Sequence, residues 1–252
     1  MEIPLHLFLI LTTLAVSLGI AIHRHRSYLL KMMGGAAPPP APPVPLNVEY
    51  ADRFHTIPAG GTFHGIDCVY CIYLENSVPN RYEHMRPMLQ SYGVDVKYFK
   101  ALTPDDIVDK YPKFSTGHST YTRKNTKLAV HLSYITCLMD ALANGHETII
   151  IFEDDMEIKA DKATVNKHIQ EFLNCDCDAF YMGYCWLSCD QSKYTRISEN
   201  LLKVPKTQKI LCKEAIAYKT HFLKRLINET LPMYANSDDM ISDFYSASGD
   251  LN

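Results

Sequence analysis

Four large apolar residues run together in Thr148-Ile149-Ile150-Ile151-Phe152 with no polar alternation, and three carboxylates, Glu153-Asp154-Asp155, follow at once. An unalternating run of this length reads as a short strand buried on both faces, as in a covered parallel sheet. The pattern on either side alternates strand with helix. Cys68 to Leu74 is rich in β-formers and predicts a first strand. A loop from Glu75 to Pro79 leads to a helix from Asn80 to about Tyr92, stopped by Gly93, and Val96 to Ala101 predicts a second strand. Thr103-Pro104-Asp105-Asp106 carries the signs of a helix start. Tyr111 to Arg123 is polar and loop-like. Leu128, Leu132, Ile135, Leu138, Met139 and Leu142 recur at helical spacing and predict a long helix from about Asn125 to Ala143, with His131 on the same stripe. Beyond the apolar strand follow a helix near Ala163 to Leu173 and strands at Asp178 to Gly183 and Glu214 to Tyr218. A helix capped by Thr220 and a short one capped by Ser237 complete the pattern. Strands separated by helices argue for an α/β fold with a mostly parallel, mixed sheet flanked by helices.

The N-terminal portion reads differently. Ile3 to Ile22 is an apolar run, followed by the basic cluster His23-Arg24-His25-Arg26. Twenty helical residues rise about 30 Å, enough to cross a bilayer core. With only Met1 and Glu2 ahead of the run, it reads as an uncleaved anchor rather than a cleaved signal. Gly34 to Pro45 is dominated by Pro, Ala and Gly and reads as an extended spacer. The expected organisation is therefore an anchor over residues 1–26, a stem over 27–62 and a folded domain over 63–252, which makes a single-pass membrane protein. Sidedness divides: the basic flank after the span favours a cytosolic domain under the positive-inside rule.

Composition narrows the function classes. The 252 residues are 47% hydrophobic and 21% charged, ordinary globular material, and a net charge of −3 offers no basic footprint for nucleic acid. Eight cysteines are present. Cys68 and Cys71 form a CxxC within a strand, where side chains three apart point to opposite faces and cannot grip one metal. A disulfide among Cys185, Cys189 and Cys212 is open if the domain faces an oxidising compartment.

The acidic triplet is the main candidate for chemistry. A strand that ends in carboxylates places them in the crevice outside the carboxyl ends of an α/β sheet, where ligands bind. Clustered carboxylates repel each other, and a hard divalent ion, Mn²⁺ or Mg²⁺, removes the conflict. The plain alternative is a solvated loop with acidic N-capping. On an extended strand end Glu153 and Asp155 project to one side and Asp154 to the other, so Asp155 with Glu153 would hold the ion, and Asp154 would face a ribose or the neighbouring backbone. Arg81 can bind a diphosphate or serve as a surface helix arginine. Asn76, just past the first strand, sits where a nucleotide base or ribose would lie, or in an ordinary loop. His131 is either a satisfied core histidine or a residue near the pocket.

The stretch from Val69 to about Phe244 resembles glycosyltransferase family 25, the lipopolysaccharide and procollagen sugar transferases. The resemblance rests on the first strand with Asn80-Arg81, on Lys97-Tyr98-Phe99-Lys100-Ala101, on the helix around His131, on Ile151-Phe152-Glu153-Asp154-Asp155, and on Ala215 to Lys219 with the later Asp238-Asp239. Tyr73 stands where the family has Asn, and Val130 where it has Ser. The resemblance implies a GT-A-like nucleotide-diphospho-sugar fold, a divalent cation on the acidic motif, and inverting transfer from a nucleotide sugar to a hydroxyl of a glycan, a lipid-linked sugar or a hydroxylated protein side chain. Tyr73, Asn76, Arg81, His131 and Asp154 become candidate substrate-binding residues, and Glu153 and Asp155 candidate metal ligands. Inversion needs a general base, for which Asp238 and Asp239 are the candidates; the rival reading is that two acids in a first helical turn complement the helix dipole. The family's secretory members also shift the expected location toward the ER or Golgi lumen. Two other classes remain open at this level: a non-catalytic nucleotide-sugar or glycan-binding module on the same fold, and a metal-dependent phosphoester hydrolase.

Overall fold

The computed structural model describes residues 50–110, 124–185, 191–248 and 251. Its centre is a six-stranded mixed sheet in the order β1-β3-β2-β4-β8-β5. The strands are β1 (Phe54–Ile57), β2 (Cys68–Tyr73), β3 (Val96–Lys100), β4 (Thr148–Glu153), β5 (Ala179–Cys185) and β8 (Leu211–Lys219), and a separate two-stranded ribbon pairs β6 (Thr195–Arg196) with β7 (Leu202–Lys203). β2 runs parallel to both β3 and β4. β1 is antiparallel to β3, β8 to β4, and β5 to β8, so β2, β3, β4 and β5 point one way and only β1 and β8 oppose them.

Among the described residues five α-helices pack on this sheet: α1 (Arg81–Ser91), α2 (Lys124–Ala143), α3 (Lys162–Asn174), α4 (Leu223–Thr230) and α5 (Ser237–Ala247). Strand alternation divides the core in two. Ile149 and Ile151 face one side with Tyr70, Ile72, Ile216 and Tyr218, where Leu128, Leu138, Leu226 and Ile241 cover them. Ile150 and Phe152 face the other with Val69, Tyr98 and Ala217, covered by Met85, Leu89, Ile169 and Phe172. Both faces of β4 are buried, as a run without polar alternation requires. Cys68 and Cys71 fall on opposite faces. Burial raises both thiols, Cys68 to about 11, so neither is poised as a nucleophile.

Several expectations are revised. β1 lies ahead of the point where the folded domain was expected to begin; it pairs with β3 through Phe54↔Phe99 to Ile57↔Val96 and packs the Phe54 ring 4.8 Å from that of Phe99. Four residues are too few for periodicity to register. Asn236, not Ser237, stands at the N-cap of α5 with extended backbone, and the Ser237 hydroxyl meets His131 instead. Cys175 is bonded to Cys177, a pairing not expected, while Cys212 is disulfide-bonded, in keeping with the bridge left open among Cys185, Cys189 and Cys212.

The single-pass membrane assignment is corrected. Among the described residues no helix is long and apolar enough to cross a membrane. The stretch Ile3 to Ile22, the proline-rich spacer and the polar loop Tyr111 to Arg123 lie outside the described residues.

Candidate functional site

The carboxyl ends of β2, β3 and β4 lie together because these strands are parallel, with Ile72 of β2 opposite Glu153 of β4. β8 runs the other way, so its first residues reach the same end of the sheet. α1 begins there too. Asn80 caps it, accepting from the Glu83 N–H at 3.3 Å, and this places Arg81 at the first helical position. Lys100 at the end of β3 pairs with Glu75 on the loop after β2. Asn76 is exposed on that loop.

The acidic triplet does not continue the strand. β4 ends at Glu153, and Asp154 and Asp155 form a turn. The two-residue alternation therefore stops before it can place Asp155 beside Glu153. Asp154 is buried and accepts the Leu74 N–H at 2.7 Å, tying the loop after β2 to the end of β4. Arg81 donates to both Asp154, at 3.4 Å, and Asp155, at 3.3 Å. Asp155 is half exposed. Glu153, the last residue of the strand, pairs instead with the ammonium of Lys213. Burial pushes the Glu153 carboxyl above the usual range; Lys213 pulls it back down, and the charges of Asp155 and Asp238 add to the rise.

Lys213 has only 4% of its side chain exposed and lies over the Tyr134 ring, 5.1 Å from its centroid. Alternation along β8 would send it to the face of Ala215 and Ala217, away from Tyr134. A bulge intervenes: between Gly183↔Ala215 and Cys185↔Leu211 the register shifts, and Cys212 adopts φ 65° in the left-handed region. The bulge turns Lys213 onto the Glu153 side. Glu214 is its neighbour, and its carboxyl is raised by burial and then by Asp155 and Asp238.

The start of α5 closes the site. Asp238 accepts the Cys212 N–H at 3.2 Å and lies 3.9 Å from Lys213. Asp239 faces elsewhere, pairing with Lys209 at 3.1 Å and meeting the Asn236 amide at 3.4 Å. Only the first of the two acids therefore looks toward the end of β4.

Tyr73 and His131 lie inside the packing. The Tyr73 ring is buried against Tyr82 at 4.4 Å, with His55 at 5.7 Å. His131 is fully buried; one ring nitrogen meets the Ser237 hydroxyl at 3.0 Å and the other the Thr230 carbonyl at 3.1 Å. It thereby joins α2 to the end of α4 and the start of α5. Burial lowers its pKa to about 4, so the ring is neutral near pH 7, and its Nε2–H donates to Thr230 while Nδ1 accepts from Ser237.

Sequence reasoning missed Lys213, Glu214 and Lys209. Alternation carried no sign of the bulge that orients the first, and a lysine in a strand of mixed polarity is unremarkable until its partners are known. Glu153 and Asp155, the pair expected to hold Mn²⁺ or Mg²⁺, are paired with different cations, Lys213 and Arg81. Among the described residues no group of three or more His, Cys, Asp or Glu side chains could hold a metal ion. In this arrangement each carboxylate of the expected ligand pair is neutralised by a cation of the protein itself.

Residues 67–238, more than half of the chain, match the family described as Glycosyltransferase family 25 (LPS biosynthesis protein). No curated protein matches the chain. The matched stretch runs from just ahead of β2 to Asp238 and so takes in β2, α1, β3, β4, β8 and the first two residues of α5.

Proposed function

The chain belongs to glycosyltransferase family 25, and from that footing we propose that it moves a hexose, with inversion, from a nucleotide-diphosphate sugar to a hydroxyl on a glycan, a lipid-linked sugar or a hydroxylated protein side chain. Membership makes it a glycosyltransferase; the donor, the acceptor and the stereochemistry are the proposal. The observation that supports it best is that Arg81, Asp155 and Asp238 come from α1, the β4 turn and α5 to the same end of the sheet, where Glu153 and Glu214 each feel the charges of both Asp155 and Asp238.

In an inverting transfer the acceptor oxygen forms its bond to the anomeric carbon as the bond to the leaving diphosphate breaks on the opposite face. The acceptor's proton must go to a base. Asp238 is the better of the two candidates, since Asp239 is turned toward Lys209. Arg81, planar and permanently charged, suits the departing diphosphate, whose charge grows as the bond breaks. Asp154 holds the β2 loop in place through Leu74.

The test is a screen of the full chain against nucleotide sugars and hydroxyl acceptors, run with Mn²⁺, with Mg²⁺ and with a chelator, with the anomeric configuration of product read by NMR. Asp238→Asn should lower kcat by about 10²- to 10⁴-fold, the range for loss of a general base, and Asp239→Asn should not. Transfer with retention, or full activity in Asp238→Asn, overturns the mechanism. Phosphoester cleavage that needs no acceptor would favour the hydrolase reading.

A further inference from the structure

Glu153 ends the strand whose acidic terminus is expected to meet a divalent ion, yet the space beside its carboxylate holds a lysine. Lys213 is almost wholly buried, pairs with Glu153, lies 3.9 Å from Asp238 and rests on the Tyr134 ring. Burying an ammonium is costly unless it is paired, and here carboxylates from two elements supply the pairing. The placement is built into the backbone. The bulge at the start of β8, with Cys212 at φ 65°, turns Lys213 to this face, and the Cys212 N–H is itself held by the Asp238 carboxylate at 3.2 Å. One short segment thus carries the cation and grips the acid at the start of α5.

We propose that Lys213 is the resident cation of this site: its ammonium takes the position between Glu153 of β4 and Asp238 of α5 that a divalent ion would otherwise bridge, so Glu153 is a partner of Lys213 and not a metal ligand. Lys213 is then a positioning residue, locking Asp238 against the end of β4 without metal. Any divalent ion that enters with a diphosphate donor is left Asp155 and not the Glu153–Asp155 pair. This deepens the transferase reading, but it is tested by ion binding, which needs no turnover, so the two can fail separately.

The experiment is a Mn²⁺ titration of the full chain followed by electron paramagnetic resonance of the free ion, with circular dichroism to verify folding. Glu153→Gln should bind Mn²⁺ as wild type does, within about threefold. Lys213→Met, which keeps the side chain's bulk and removes its charge, frees two carboxylates and should bind Mn²⁺ at least about tenfold more tightly; adding Glu153→Gln to it should cancel the gain. A tenfold or greater loss of Mn²⁺ affinity in Glu153→Gln alone overturns the proposal, as does a folded Lys213→Met with wild-type affinity. Should Lys213→Met fail to fold, the Glu153→Gln comparison decides by itself.

Discussion

His131 offers a stability test whose magnitude follows from the structure. The ring is fully buried between Ser237 and Thr230, and its pKa falls from the ordinary 6.5 to about 4, chiefly through burial. A group whose folded pKa is depressed contributes stability that is fully present above its unfolded value and is lost as pH falls toward its folded value. The window here runs from about pH 6.5 down to about 4, where the unfolded chain takes up a proton that the folded chain refuses. At 1.36 kcal/mol per pH unit the whole interval corresponds to about 3 kcal/mol, of which about 2 kcal/mol is lost by pH 5. Urea unfolding at pH 7.5 and pH 5.0 measures it, provided the transition is two-state. His131→Gln retains a donor and an acceptor but cannot titrate. The wild type should lose about 2 kcal/mol more than the variant between these two pH values, carboxylate contributions being common to both. Equal pH dependence in the two proteins, or an imidazole resonance that titrates near 6.5 in the folded protein, would refute the reasoning. Because His131 braces the start of α5, the same protonation should loosen the helix that carries Asp238.

The other expectations concern the acid turn and the domain boundary. Asp154→Ala removes the acceptor of the Leu74 N–H and should cost about 1–3 kcal/mol in urea unfolding, whereas Asp155→Asn, half exposed, should change stability by less than about 0.5 kcal/mol yet lower kcat at least about tenfold; the reverse ranking would mean that the two roles are exchanged. A chain begun at Tyr50 should fold cooperatively, while one begun at Phe63 loses β1, the Phe54 packing and the Arg53 bonds to Ala101 and Asp106, and should be less stable by at least about 2 kcal/mol in the same assay. Equal stability of the two would show that β1 adds nothing to the sheet.

The buried centre of the fold was the most legible part of this chain. Ile149 to Phe152 has no polar residue to turn outward, so the only stable place for it is a strand covered on both sides, and that is where β4 lies. The long stripe of α2 and the start of α1 near Asn80 were legible for the same reason: spacing and local chemistry decide them before tertiary contacts do, although Asn80 proves to be the cap and not the first helical residue. What escaped was set by pairing over long sequence distances. β1 owes its existence to β3, some forty residues on, and Phe54 to Ile57 alone carries no periodic signal.

The site divides along the same line. That carboxylates would gather at the end of β4 was legible, because a covered strand delivers whatever follows it to the sheet's edge. Their individual directions were not, because the alternation rule holds only while the chain stays extended, and it ceases at Glu153. The consequence reaches the chemistry. One residue of continued strand would have aimed Glu153 and Asp155 at a common cation. The turn instead gives Asp154 and Asp155 to Arg81, and a bulge sixty residues later gives Glu153 to Lys213. An acidic motif read from sequence as a metal site is, in this arrangement, divided between two fixed cations supplied by the protein, and a local departure from regular structure decides which carboxylate each one meets.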